Sequence, residues 1–371
     1  MGTYLIILLA VLSVGLSAFA LWQRERLNWR FKMPQAVTAT DSPQFERIFD
    51  YMAPTGQAHS PAILLDHDEF YITWFEGSQE AQADVDIHAV RFTQTGAGWR
   101  AGTPGPIVTR RALGDVFEPE QLVVTLGNTV ENENATGGMF ATVVSVGGWA
   151  MASVADLRLG QGGLMWARKL NLSPFLNRSF LVKSPMVAMA DDTYALPAYF
   201  EMGATYGAFV RLDSDGRVCD ARRMAGVGNK PIQPMVVPLS DTRAVAFLRD
   251  FDPSGRLLVS HTENGGKSWS AALSTDIANP SAPVAALALG DGRILMAMND
   301  DAAGADRLRL AISGDEGHSW QVISTLEQDD GDARYPMLRR VSGGDILLTY
   351  SHATKRGIRA CLFNQAWVEA Q

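Results

Sequence analysis

Apolar–turn–apolar units recur at a near-constant spacing, and this period limits the fold more than any other feature of the chain. After residue 55, short β-rich runs end in turn residues and no helical period persists. Six such turns are His67-Asp68-Glu69, Gly147-Gly148, Asp191-Asp192, Ser240-Asp241, Asp291-Gly292 and Gly344-Asp345. The later ones fall at positions 191, 241, 291 and 344, at intervals of 50, 50 and 53. The interval from 68 to 147 is 79 residues, which requires an insertion, expected around Glu131 to Gly138. Repeats of roughly 40–50 residues with several strands each indicate propeller blades. The expected fold class is all-β, a six-bladed β-propeller preceded by one N-terminal transmembrane helix.

Two further repeats run in phase. Innermost strands are expected to begin at a residue followed by Pro: Ser60-Pro61, Ser184-Pro185, Gln233-Pro234, Ala282-Pro283 and Tyr335-Pro336. The last four prolines lie at intervals of 49, 49 and 53, so symmetry places these residues in a ring at one end of the propeller. Pro suits a strand start, where its missing N–H costs little. An outer turn also repeats, as Thr262-Glu263-Asn264-Gly265-Gly266-Lys267-Ser268-Trp269 and Ser313-Gly314-Asp315-Glu316-Gly317-His318-Ser319-Trp320. The Asp or Asn caps its own turn, Gly supplies a positive φ, and Trp packs into the blade. Degenerate copies stand at 95–99, 162–166 and 213–216.

The N-terminus is a different material. Tyr4 to Trp22 is an uncharged apolar run long enough to span a bilayer. Ala18-Phe19-Ala20 resembles a signal-peptidase site, which is the competing reading. Arg24, Arg26, Arg30 and Lys32 follow the run, and the positive-inside rule would then put the main domain in the cytoplasm. The expected organisation is a membrane anchor with basic flank over 1–32, a linker over 33–54 and the propeller over 55–371.

Composition excludes some functions. With 47% hydrophobic and 19% charged residues the chain can bury a core. A formal net charge of −8 argues against a nucleic-acid partner. Cys219 and Cys361 show no metal-ligand spacing, and a disulfide between them stays open. The six histidines form no metal motif, so neither metal nor cofactor is expected.

The form S/T-x-D/N-x-G-x-S-W resembles the Asp-boxes of the sialidase (neuraminidase) superfamily. Other stretches resemble bacterial sialidase-like proteins with such repeats: His59-Ser60-Pro61-Ala62, Trp74-Phe75-Glu76-Gly77, Asp84-Val85-Asp86-Ile87, Leu196-Pro197-Ala198-Tyr199-Phe200-Glu201, Lys230-Pro231-Ile232-Gln233-Pro234, Asn279-Pro280-Ser281, Met298-Asn299-Asp300 and Tyr335-Pro336. The resemblance covers about residues 55–365. It implies an extracytoplasmic, here periplasmic, propeller, against the charge rule, so orientation stays open. It also implies Tyr335 as nucleophile, Arg249 as one of three carboxylate-binding arginines, and Asp84 as acid/base, with Asp86 and Glu80 as competitors. His59 stands where the first of those arginines would be. Gln233 stands where the family has the Glu partner of the Tyr, and Gln cannot ionise. The third Arg has no clean match, Arg307 being nearest.

Position alone gives a similar set. A first strand starts at the face where the second ends, so both should share one rim. The starts supply His59, Lys183, Gln233, Arg334 and Tyr335, and the ends supply Glu76, Glu201, Arg249, Asn299, Asp300 and His352. Basic groups there suit a carboxylate, and Glu76, Asp84 and Glu201 suit acid/base work. The expected function is an exo-acting glycoside hydrolase for an acidic sugar, sialic acid or a related ulosonic acid such as Kdo. The alternatives are a non-catalytic propeller binding a glycan or protein, and a polysaccharide lyase. The expected partners are a carbohydrate and, through the helix, a membrane.

Overall fold

The computed structural model describes residues 2–23, 27–34, 37, 42–96, 98–160, 163–173, 177–252 and 255–371. Arg24 and Arg26, and parts of the turn copies at 95–99 and 162–166, lie outside these residues. Six antiparallel sheets are arranged as six blades. Their innermost strands are Gln57–Asp66, Thr125–Glu131, the pair Phe180–Val182 and Val187–Ala188, Pro231–Pro238, Ala285–Gly290 and Arg334–Arg340. Each touches its neighbours around the ring, and the sixth returns to the first. The six-bladed propeller expected from the period is therefore the fold.

The core is layered between blades rather than gathered at one centre. One cluster joins blades 1 and 2 through Phe75, Ile87, Leu126 and Met139. The equivalent layers hold Phe140 against Val210, Phe209 against Leu248, Phe247 against Met296, Leu310 against Leu348, and Trp74 against Ile358. Each blade thus buries both faces, which is why its middle strands read as nearly continuous apolar runs.

The Asp-box turns lock one blade to the one before. Asp315 accepts from Ser319 N (2.8 Å), Ser319 Oγ (2.6 Å) and Ser313 Oγ (2.8 Å), which hold its carboxyl down to about 2. Asn264 accepts from Ser268 N (2.9 Å) and donates through Nδ2 to Ser268 Oγ (2.8 Å). Trp320 packs on Phe247 of blade 4, and Trp269 on Phe209 of blade 3.

The boundaries drawn from sequence need correction. Residues 33–54 are not merely a linker. Phe45–Met52 is the outermost strand of blade 6, paired antiparallel to Gly357–Phe363. The chain closes its ring this way because the last blade has only three C-terminal strands and would otherwise leave an edge exposed. Part of the segment 1–32 packs on the propeller, since Phe31 is buried and bridges to Met189. Within blade 2, Gly147-Gly148 is the second turn. The first turn occupies residues 132–137, and the extra length lies before the blade, in 102–124 with the helix Arg110–Val116. Cys361 carries a buried free thiol, so it is not joined to Cys219. The N-terminal helix Gly2–Gln23 is the one helix among the described residues long and apolar enough to cross a membrane, and its apolar stretch is wholly exposed.

Candidate functional site

A shared backbone distortion sets the site. In blades 1, 4 and 6 the inner strand carries two residues opposite one on its partner, between His59 and Ala62, Ile232 and Met235, and Arg334 and Met337. The first extra residue is Ser60, Gln233 or Tyr335, with φ of 55°, 52° and 57°. Each precedes a proline. A non-Gly residue in the left-handed region is uncommon, and a following Pro normally favours extended backbone there. Such strain persists only where the fold over-determines it, and it clusters at functional sites. These residue–Pro pairs are therefore bulges inside the strand, not its first residues.

The bulges bring groups from four blades together at one mouth of the central channel. Tyr335 Oη accepts from Gln233 Nε2 (3.3 Å) and from Arg249 Nη1 (3.4 Å). Arg249 also donates to Gln233 Oε1 (3.3 Å) and, through Nε, to Ser281 Oγ (3.0 Å). Gln233 Nε2 reaches Tyr199 Oη as well (3.3 Å). The His59 ring meets the Tyr335 ring at 4.5 Å, nearly edge-on. His59 Nδ1 lies 2.8 Å from Ser351 Oγ, which also accepts from Ser60 N. Lys183 crosses from blade 3 to blade 6, donates to Pro336 O (2.9 Å), and sits 5.7 Å from the centroid of the Tyr335 ring.

Electrostatics divides the cluster into a floor and a rim. The floor is His59, Lys183, Tyr199 and Gln233, all buried. Burial alone lowers Lys183 to about 7. Burial, and then the charges of Lys355, Arg334, Lys183 and Arg249, keep His59 far below its ordinary value and hence neutral. Burial, and the nearby Glu201, push the Tyr199 phenol well up. On the rim stand Tyr335, Arg249, Arg334, Glu201, Glu80 and Lys355, each partly exposed. Burial raises Glu201, with Arg249 opposing it and Glu80 adding to it. Arg334 lies beside Asp332 (3.1 Å), and Lys355 is paired with Glu80.

Four sequence candidates lie outside this cluster. Glu76 lies in the wall between blades 6 and 1, where it accepts from Tyr51 Oη (3.0 Å) and Trp74 Nε1 (2.7 Å). Asp84 braces its own loop, accepting from Ser78 N (3.0 Å) and Ser78 Oγ (2.9 Å). Arg307 is paired with Asp300 (3.1 Å) and Asp301 (3.3 Å) of its own loop. His352 faces Asp50 at 3.3 Å. Sequence reading missed Tyr199, Ser281, Ser351 and Lys355 as site residues. Tyr199 obeys the strand-end rule and was within reach of it. Lys355 sits in a turn, where no period applies.

Among the described residues no group of three or more His, Cys, Asp or Glu side chains is placed to hold a metal ion.

Comparison places this geometry among known folds. A search of curated proteins finds no match. A Dyadobacter fermentans protein of unknown function superposes with a TM-score of 0.65 at 14% identity, over 86% of this chain and 99% of the other. The Hadza microbial sialidase Hz136 superposes with a TM-score of 0.61 at 16% identity, over 82% of this chain and 65% of its own. Trypanosoma rangeli sialidase in complex with the inhibitor DANA gives 0.64 at 12% identity, over 86% and 56%. The chain thus matches less than two thirds of each of these two sialidases, and at such identities the likeness is one of fold. The BNR repeat-like domain model matches residues 68–348, most of the chain. With its blades, its Asp-box turns and that match, the chain belongs to the BNR repeat-like domain family.

Proposed function

We propose that the channel mouth binds an anionic sugar and hydrolyses its glycosidic bond, with Tyr335 as nucleophile. The observation that carries this reading is the pair of donors on Tyr335 Oη, Gln233 and Arg249, within a ring of cations. A phenolate would be held there by a charged and a neutral donor. Tyr335 Oη, its proton given up to solvent, would attack the anomeric carbon as Glu201 gives its proton to the leaving oxygen; a water that returns a proton to Glu201 would then cleave the glycosyl–tyrosine bond and free the Tyr335 phenolate. Glu201, which burial keeps protonated to a higher pH than usual, is the proposed proton donor in place of Asp84. Arg249, with Arg334 and Lys183, is the proposed carboxylate clamp. The apolar helix is proposed as a membrane anchor and the propeller as extracytoplasmic.

Incubating the detergent-solubilised full chain with a panel of sialosides and Kdo-containing lipopolysaccharide should release free ulosonic acid from at least one. A panel with neither release nor binding would sink the proposal. Saturable binding without release would instead favour a glycan-binding propeller. The resemblance lends support to that second reading: it puts Gln233 where sialidases have the Glu partner of the Tyr, and Gln cannot take a proton.

Binding should also depend on pH in a set direction. Lys183 has a depressed folded value near 7, so it loses its charge as pH rises through about 7. An anionic sugar should therefore bind more weakly above that value, and Lys183→Gln should flatten the profile of dissociation constant against pH. A wild-type profile that is flat across this range would exclude Lys183 from the clamp.

A further inference from the structure

The segment that follows the apolar helix is fastened to the propeller on the face opposite the channel mouth. Phe31 N donates to Asp241 O (2.7 Å), Lys32 N to Ala188 O (3.0 Å), and Ala190 N to Arg30 O (2.9 Å). Arg211 Nη1 donates to Asn28 O (2.6 Å). The Trp29 ring lies 5.4 Å from the guanidinium carbons of both Arg211 and Arg222. Phe31 is buried and meets Phe209 at 6.1 Å. All these partners belong to blades 3 and 4, and the backbone partners lie in or beside the turns at the far ends of their inner strands, away from Lys183 and Gln233.

One glycine shows that the seat is built for this segment. Gly265 and Glu316 hold the same place in the two Asp-boxes, with φ of 71° and 61°. Glu316 proves that the turn accepts a side chain at that conformation. At Gly265 a Cβ would stand 1.8 Å from Trp29 O. The glycine there makes room for residues 28–32.

We infer that this face stands against the membrane and the channel mouth opens away from it, so the site takes glycans from the aqueous side and not sugars borne by lipids of the bilayer that holds the helix. The inference rests on the helix as a retained anchor and, for the ligand, on the function proposed above. It holds on either side of the membrane. Five Cα steps separate Gln23 from Asn28, a reach of about 18 Å at full extension. The inner strand Gln57–Asp66, of 10 residues at ~3.3 Å each, makes the propeller about 30 Å thick. Turning the mouth to the bilayer would lift Asn28 farther from the surface than that tether reaches.

The test places one fluorophore on each face. Asp68 is exposed in the first turn of blade 1, on the seat side, and Val146 is exposed in the second turn of blade 2, on the mouth side. Asp68→Cys and Val146→Cys would be made in a Cys219→Ser full chain, where Cys361 is buried. Each is labelled with a maleimide dye and reconstituted into phosphatidylcholine vesicles carrying a head-group nitroxide lipid. The Asp68→Cys label should lose most of its emission and the Val146→Cys label should keep it. Equal or reversed quenching overturns the inference, as does a full chain that fails to float with the vesicles. Quenching reads position alone, so a chain without sugar activity would sink the proposed function and leave this contrast intact. In the activity arm, wild type in vesicles should act on a soluble sialoside, and turnover of a sialoglycolipid in its own vesicle overturns the choice of substrate.

Discussion

Tyr335→Phe is expected to abolish sugar release while leaving the site assembled. Removing the nucleophile of a covalent mechanism should lower kcat by roughly a thousandfold or more. The substitution removes only the phenolic oxygen, and with it the contacts to Gln233 and Arg249. The ring keeps its edge contact with His59 and its place near Lys183. The left-handed backbone at 335 is fixed by the bulge and by the bond from Lys183 to Pro336 O, neither of which involves the hydroxyl. Affinity for the sugar should therefore change far less than turnover. The check is a pair of measurements on one preparation: release of free ulosonic acid, and direct binding by calorimetry. Unchanged release would remove Tyr335 from the chemistry, and binding lost along with release would make it a clamp residue instead.

The architecture was legible because it repeats. A period near 50 residues fixes blade number, and phase fixes which strand ends share a face, so His59, Lys183, Gln233, Arg249, Arg334 and Tyr335 could be grouped without a structure. Side-chain parity was the weak point. Glu76 does lie near the rim, but it shares a strand face with Trp74, two residues away, and that face is the wall between blades. Asp84 and Arg307 failed for another reason. Each bonds within its own loop, a local competition that register cannot reveal. The bulges were also hidden. Ser60, Gln233 and Tyr335 read as ordinary strand starts, because residue-before-Pro statistics favour extended backbone, and only the tertiary ring forces them left-handed. Sequence gave no sign of ring closure by Phe45–Met52, since its eight residues mix charged with aromatic ones and fall outside the period.

That closing strand carries the last large effect. A chain starting at residue 53 should fail to fold, whereas one starting at residue 27 should fold and remain soluble. Residues 2–19 are wholly exposed, so losing that stretch takes no buried surface from the propeller. Losing Phe45–Met52 strips blade 6 of its outer strand and bares Gly357–Phe363 as an apolar edge, a template for aggregation. It also removes Phe49 and Tyr51 from Trp74, Phe49 from Phe92, and Phe45 from Phe363 and Trp367. Truncating one buried aromatic typically costs roughly 3–5 kcal/mol. The partly buried Phe49 and Tyr51, the more exposed Phe45 and a ladder of backbone bonds together approach the whole stability of a typical domain, about 5–15 kcal/mol. Arg359 would lose Asp50 and keep only Glu327, deepening the loss. Thermal unfolding followed by circular dichroism on both truncations is the check. A chain starting at 53 that melts at the same temperature as one starting at 27 would show that blade 6 stands on three strands, and that the ring needs no N-terminal clasp.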